Sequence, residues 1–308
     1  MTAVNVSVQQ GSEIATLVDG FTYSAPLKIY TGNNNGLIER RNPDTMASEF
    51  SLDVGGVIIN MVFTDGFLYA IYDGSIKKLN PDDLTVVATS AGVQGGVLCT
   101  DSAGNIYAQN NGDDLIKLDK DDLTQLAANT AETSQIVGAS ANATEVYAGG
   151  YNDLLRRMAI SDISVVDGTA SQTDIEAVSM ASDGSVVSLG RDNTLRKWNA
   201  TTMAADGSFA ASGWSGMMSP DQNGNIFIYT SNTVRKVRVS DMTQTGSISL
   251  SSVSAILAAE NGFLYVSRST TLRKHLITTM AEEASVSTPA AFSCMTANRN
   301  TARDLLGF

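Results

Sequence analysis

The chain has 308 residues, 43% of them hydrophobic and only 17% charged, which allows a large buried core and excludes a disordered chain. Its 32 acidic and 20 basic residues leave a net charge of −12, which argues against binding to nucleic acid or to an anionic membrane. The apolar runs are only a few residues long, too short for membrane insertion, and 26 glycines with five prolines suit an all-β chain full of turns.

The N-terminal Met1-Thr2-Ala3-Val4-Asn5-Val6 lacks the basic and apolar regions of a signal peptide, so use without export is expected. Val4, Val6 and Val8 alternate before the break at Gln10-Gly11-Ser12, the pattern of an extra strand or arm over residues 1–24. From residue 25 one phrase then returns seven times, about forty residues apart. A branched apolar residue is followed two positions on by a basic one, and six positions after that by Leu, Met or Ile. The anchors are Ile38/Arg40/Met46, Ile76/Lys78/Leu84, Leu115/Lys117/Leu123, Leu155/Arg157/Ile163, Leu195/Lys197/Met203, Val234/Lys236/Met242 and Leu272/Lys274/Met280. This period, with short strands and turn residues between, predicts a seven-bladed β-propeller over residues 25–298, followed by a tail of residues 299–308.

Within a repeat, the second strand carries a Gly-x-apolar-Tyr phrase, as in Gly66-Phe67-Leu68-Tyr69 and Gly262-Phe263-Leu264-Tyr265. A second tight turn, such as Asp73-Gly74 or Asp192-Asn193, precedes the basic third strand. The fourth strand is rich in small and β-branched residues, and the next blade opens on a short apolar strand. The first repeat lacks its own first strand. Either Ala291–Thr296 supplies it, making a composite blade of the two chain ends, or Ile14–Val18 does; the composite is preferred because it seals the ring and removes an open edge.

The stretch Ala181-Ser182-Asp183-Gly184-Ser185-Val186-Val187-Ser188-Leu189-Gly190-Arg191-Asp192-Asn193-Thr194-Leu195-Arg196-Lys197-Trp198-Asn199 resembles WD40-like and YVTN/NHL-type propeller repeats, with Trp198-Asn199 where a Trp-Asp pair would stand. The Gly-His pair that WD40 blades need for their hydrogen-bond tetrad is missing, because the single histidine, His275, falls in a third strand. The Ser/Thr/Ala/Asn-rich repeats look closer to the fast-diverging propellers of bacteria and of bacteriophage particles. That resemblance implies a structural, protein-binding role in a virion, in the tail or on the capsid. Its partners would be other virion components or a host surface receptor. Without a particle to join, a cytoplasmic location is expected. A lectin-like, carbohydrate-binding propeller is the alternative, and a propeller lyase or hydrolase stands behind it.

Most of the 20 Lys and Arg fall in the third strands, where their stems are expected to cover apolar surface while the charged heads reach water at the rim. A basic belt for an anionic partner is the competing reading. Many carboxylates map to the first-to-second and third-to-fourth turns, which emerge on one face of the disc. Asp82, Asp83, Asp121, Asp122, Asp162 and Asp241 are the candidate partner-binding residues there, with Asp65, Asp101 and Asp221 nearby. Ordinary turn capping by Asp accounts for the same pattern. Leu305, Leu306 and Phe308 form an apolar cluster for packing on the closure seam or docking into another subunit.

No catalytic constellation stands out. One histidine excludes multi-histidine metal sites, Cys99 and Cys294 lack an adjacent base or a Cys-x-x-Cys partner, and no calcium or phosphate loop is present. A non-enzymatic chain without cofactor or metal is expected, with both cysteines as lone buried thiols.

Overall fold

The repeats resolve into seven four-stranded antiparallel sheets set in a ring. In this computed structural model the described residues are 26–298, apart from 91, 131–134, 170–171 and 214, together with the backbone of residues 2–10 and 13–23. Blade 2 shows the plan, with strands Asn60–Thr64, Phe67–Tyr72, Ser75–Leu79 and Val86–Thr89 running outward in order from the ring axis. Blades 3 to 7 repeat it, opening on Val93–Thr100, Ile136–Ala141, Ile175–Met180, Met218–Pro220 and Val253–Ala258.

Blade 1 is the composite that closes the ring. Phe292–Ala297 pairs antiparallel with Ile29–Asn33, placing Ile29 opposite Ala297 and Gly32 opposite Cys294. Leu37–Arg41 and Ser48–Asp53 complete that sheet. The rival strand is committed elsewhere: Glu13–Tyr23 pairs with Thr2–Gln10 in a separate hairpin, with a register shift between Val4 and Val6.

The core lies between blades, because each sheet presents both faces to its neighbours. One cluster joins Ile71 and Ile76 of blade 2 to Ile106, Ile116 and Leu118 of blade 3; another joins Leu189 and Leu195 of blade 5 to Ile226 and Val237 of blade 6. Near the axis blades approach closely: a Cβ on Gly138 would lie 2.5 Å from the Val178 backbone nitrogen. Only glycine fits there.

The six-residue spacing of the repeated phrase has a local cause. Met46, Leu84, Leu123, Ile163, Met203, Met242 and Met280 all have φ between 51° and 64°, and all are buried. The chain leaves the third strand in an α-like loop, in which Leu84 N–H donates to the Asn80 carbonyl at 2.8 Å and Ile163 N–H to Ala159 at 2.8 Å. A left-handed residue then drives its side chain into the inter-blade core. For a bulky L-residue that conformation costs ~1–2 kcal/mol, and the burial of a large apolar side chain (~1.5–3 kcal/mol) offsets it.

Candidate interaction face

The basic position of the third strand does not send its head into solvent. It stands directly opposite the aromatic of the second strand, in the pairs Tyr30/Arg40, Tyr69/Lys78, Tyr107/Lys117, Tyr147/Arg157, Phe227/Lys236 and Tyr265/Lys274. The two side chains reach together to the third-to-fourth turn of the next blade. Arg40 donates to the Asp82 carbonyl at 2.8 Å, Lys78 to Asp121 at 3.3 Å, Lys117 to Ile160 at 2.8 Å and Lys236 to Ile277 at 3.1 Å; Arg157 donates to the Thr201 carbonyl. Alongside them, the Tyr69 hydroxyl donates to the Lys120 carbonyl at 2.7 Å, Tyr147 to Ala200 at 2.9 Å and Tyr265 to Pro43 at 2.7 Å.

The last of these crosses from blade 7 to blade 1, so the tie runs through the closure. The Lys78 side chain is only 5% exposed, and its ammonium lies 4.0 Å from the Phe67 ring centroid. The expected outward snorkelling, and with it the basic belt, is therefore corrected for these residues. A carbonyl-lined turn one blade away offers the ammonium better hydrogen bonds than the rim does. At the boundary between blades 5 and 6, Val187 replaces the aromatic and Lys197 sits between Asp183 at 3.2 Å and Asp206 at 3.4 Å.

The turns that accept these cations carry the candidate acids. Asp82 and Asp121 project outward with side chains 93% and 74% exposed; their carbonyls accept from the cation of the preceding blade, and their carboxylates keep only long ion pairs to it, 3.6 Å from Arg40 and 3.9 Å from Lys78. Asp83, Asp122 and Asp162 occupy the next turn position. Each accepts a backbone N–H and a hydroxyl from the residue two further on, Thr85, Thr124 or Ser164. Hydrogen bonds from the Thr85 hydroxyl and from the Thr124 and Ser164 backbones lead in holding these carboxyls below the usual range, so they stay ionised well into acid. Asp241 makes the same turn bonds with Thr243 but also pairs with Arg238, the main cause of its lowered pKa.

Not every mapped acid is available. Asp101 and Asp221 are buried and consumed by their own turns, where each accepts from an Asn four residues on, and Asp101 also from Tyr107. Asp65 pairs with Lys120 of the next blade, which confirms that the two classes of turn share a face. Leu305, Leu306 and Phe308 lie outside the described residues.

The axial channel opens on the same face. A cavity of about 530 Å³ is walled by the first strands of all seven blades, including Met61, Leu98, Cys99, Ser140, Met180, Ser219, Leu257 and Met295. A second cavity of about 270 Å³, lined by Asn60, Gly96, Gly138 and Glu176, marks the opposite mouth. His275 is far from solvent at 1% exposure, in the strand position filled by Leu79, Leu118 and Trp198 in other blades, and burial lowers its pKa. Cys99 and Cys294 are both buried.

Blade 5 holds a hydrogen-bond chain that the sequence did not reveal. Trp198 Nε1 donates to Ser188 Oγ at 2.7 Å, Ser188 donates to Gln172 Oε1, and Gln172 Nε2 donates to the Thr194 carbonyl at 2.6 Å. The loop ahead of the first strand is thereby fastened to the second and third strands. A glutamine supplies the bond that the resemblance leads one to seek from histidine.

No protein-family profile matches the chain, and no curated protein does either. Solved structures do. The chain is similar to the structure of U3-55K at TM-score 0.70 and 12% identity, over 78% of this chain and 84% of that one. It is also similar to the WD40 repeats of RRP9 at TM-score 0.70 and 11% identity, over 87% and 88%. At such identity the likeness speaks to the fold. The chain folds as a seven-bladed β-propeller similar in fold to those solved WD40-repeat structures, closed by a composite blade and tied blade to blade through a Tyr–cation pair.

Proposed function

We propose that this propeller is a non-catalytic protein-binding module that presents its turn-bearing, acidic face to a basic surface on another structural protein. One observation carries the reading. The third-strand cations donate inside the ring to backbone carbonyls, and Asp82, Asp83, Asp121, Asp122 and Asp162 stand exposed on the same turns, with Arg40 and Lys78 reaching the Asp82 and Asp121 carboxylates only at 3.6 and 3.9 Å. Carboxylates that project from rigid turns and stay ionised at low pH make a persistent negative field, which steers a cationic partner and fixes its orientation. The interior position of His275 and the uncharged wall of the turn-face cavity support the absence of catalysis.

The setting we propose is a bacteriophage virion, and its support is the resemblance of the small-residue repeats to particle-borne propellers. A lectin role has less behind it. Tyr72 and Tyr151 hold Lys77 and Arg191 over their rings, and Trp198 is in the core, so none offers an open stacking platform for a sugar.

The face is tested with an array of Lys/Arg-rich peptides and the triple reversal Asp82→Lys, Asp121→Lys, Asp162→Lys. Binding that weakens with salt and is lost in the triple variant is the expected result; retention of binding in that variant ends the acidic-face reading. Cross-linking and electron microscopy on particles purified from the native source test the setting. Absence of the chain from such particles would remove it.

A further inference from the structure

The turn-face end of the axial channel leaves a space that its own side chains do not fill. The cavity there, about 530 Å³, lies in the size range of small-molecule sites. Six of the seven blades give its wall a large apolar side chain, Met61, Leu98, Met180, Met218, Ile256 and Met295, and no charged side chain enters it among the described residues. Leu98, Ala139, Val178 and Met218 also line the smaller cavity behind it, so they form the neck between the two. Water in such a space finds few of the two to four polar partners that hold a buried water, so an apolar group would displace it favourably. The methionines suit a guest, because an unbranched thioether adapts its shape and makes favourable contacts with aromatic edges.

Two hydroxyls of the wall are left as donors. Ser140 Oγ accepts the Met180 N–H at 3.0 Å, joining blade 4 to blade 5, and Ser219 Oγ accepts the Ala258 N–H at 2.9 Å, joining blade 6 to blade 7. Each oxygen thus holds the next blade, and neither hydroxyl proton has an acceptor among the described residues. A hydroxyl turns to suit its partner, so both serines can donate to a guest that brings an acceptor. A charged guest of either sign would find no counter-charge in the wall, which makes its burial costly. The chemistry of the space therefore selects against ions and for an apolar body with a neutral acceptor oxygen.

We propose that the turn-face end of the axial channel binds an uncharged, largely apolar carbonyl compound. Its apolar body lies against Met61, Met180, Met218 and Met295, and its carbonyl oxygen accepts the hydroxyl proton of Ser140 or Ser219. The inference stands on the wall of the cavity and does not depend on the acidic-face reading, since none of the acids offered there to a partner lines this space.

Benzophenone, an uncharged aromatic ketone, is the probe for the full chain. On irradiation its ketone oxygen takes a hydrogen atom from a neighbouring C–H bond, and the two carbon radicals join, so the bound molecule marks its own site as an attached carbinol. Peptide mapping is expected to find saturable labelling at the channel methionines, and about tenfold less with para-benzoylbenzoate, which adds a carboxylate to the same rings. Labelling that does not saturate, that falls on the exposed rim residues Val86, Val87 and Val166, or that is as strong with the carboxylate, overturns the proposal. The donor role is read separately, by competition with diphenylmethane, which keeps the rings and lacks the oxygen. In Ser140→Ala/Ser219→Ala the affinity for benzophenone should fall about fivefold while that for diphenylmethane stays the same. Since both ligands are measured on one variant, any loosening of the blades weakens them alike. An equal loss for the two, or no loss for either, refutes the assignment of the serines as donors to a bound carbonyl.

Discussion

Tyr265→Phe tests the inter-blade tie where it matters most, across the boundary that closes the ring. Tyr265 is wholly buried; its hydroxyl donates to Pro43 at 2.7 Å and accepts from Asn261 Nδ2 at 2.9 Å. The substitution keeps the ring and its packing but removes the oxygen. Each lost bond is worth ~1 kcal/mol net, and a buried carbonyl deprived of its donor costs ~1–3 kcal/mol, so the expected loss is about 1.5–3 kcal/mol. At roughly 2–4 °C per kcal/mol for a domain of this size, Tm falls by about 3–12 °C. Tyr229→Phe is the comparator, because that hydroxyl bonds Asn232 at 3.2 Å in an exposed setting, and a change within about 0.5 kcal/mol is expected. Thermal and urea melts of the three proteins decide the matter. If Tyr265→Phe melts within a degree of the parent, the tie contributes nothing to closure and the reasoning fails.

Three further outcomes follow from the same interior. Burial raises the pKa of Tyr30, Tyr69 and Tyr147, and that of Tyr265 to about 12, so the folded state favours the neutral phenols. Their contribution is intact below pH 10 and is lost as pH rises beyond it, by about 5 kcal/mol per pH unit if four phenols titrate only on unfolding; tyrosinate absorbance appearing before the circular-dichroism change would contradict this. Burial lowers the pKa of His275, so its contribution is present above about pH 6.5 and lost as pH falls. His275→Leu should therefore stabilise the protein more at pH 5 than at pH 8, as read by urea midpoints; an equal effect at both would show that the ring titrates as in water. Ile163 is β-branched at φ 51°, so Ile163→Leu, the residue of blades 2 and 3 at that turn, should be neutral or stabilising by up to about 1 kcal/mol. A loss above about 1.5 kcal/mol in thermal melts would show that side-chain shape outweighs backbone strain there.

The blade count, strand order and composite closure were legible because each blade repeats one local grammar. A glycine or an Asp/Asn turn takes φ > 0, alternation sets the faces, and the spacing of Lys78 to Leu84 marks a turn of fixed length. Even the opposition of Tyr69 and Lys78 follows from that register. The direction of the Lys78 head was not legible, since period two gives the face of a strand but not the neighbour facing it. The candidate acids were found by position, but their fates differ. Asp82 and Asp121 are exposed with only long ion pairs to Arg40 and Lys78, Asp241 is tightly paired with Arg238, and Asp101 and Asp221 are consumed by their own turns. Whether Asp or Asn at a turn points outward depends on the next hydrogen-bond donor, which a single sequence does not place.

The sequence by itself determined the repeat, the number of blades and the residues each blade commits to its strands and turns, because these are set by interactions within about forty residues. The tertiary structure decided what each blade does for the next. It turned the cations inward, drew one apolar channel from seven first strands, and paired the hairpin of residues 2–23 with itself. Apart from that local hairpin, those outcomes depend on contacts between blades, which no single repeat contains. A local pattern can specify the pieces, but the energy that orients a buried ammonium or an axial side chain comes from the neighbour it meets.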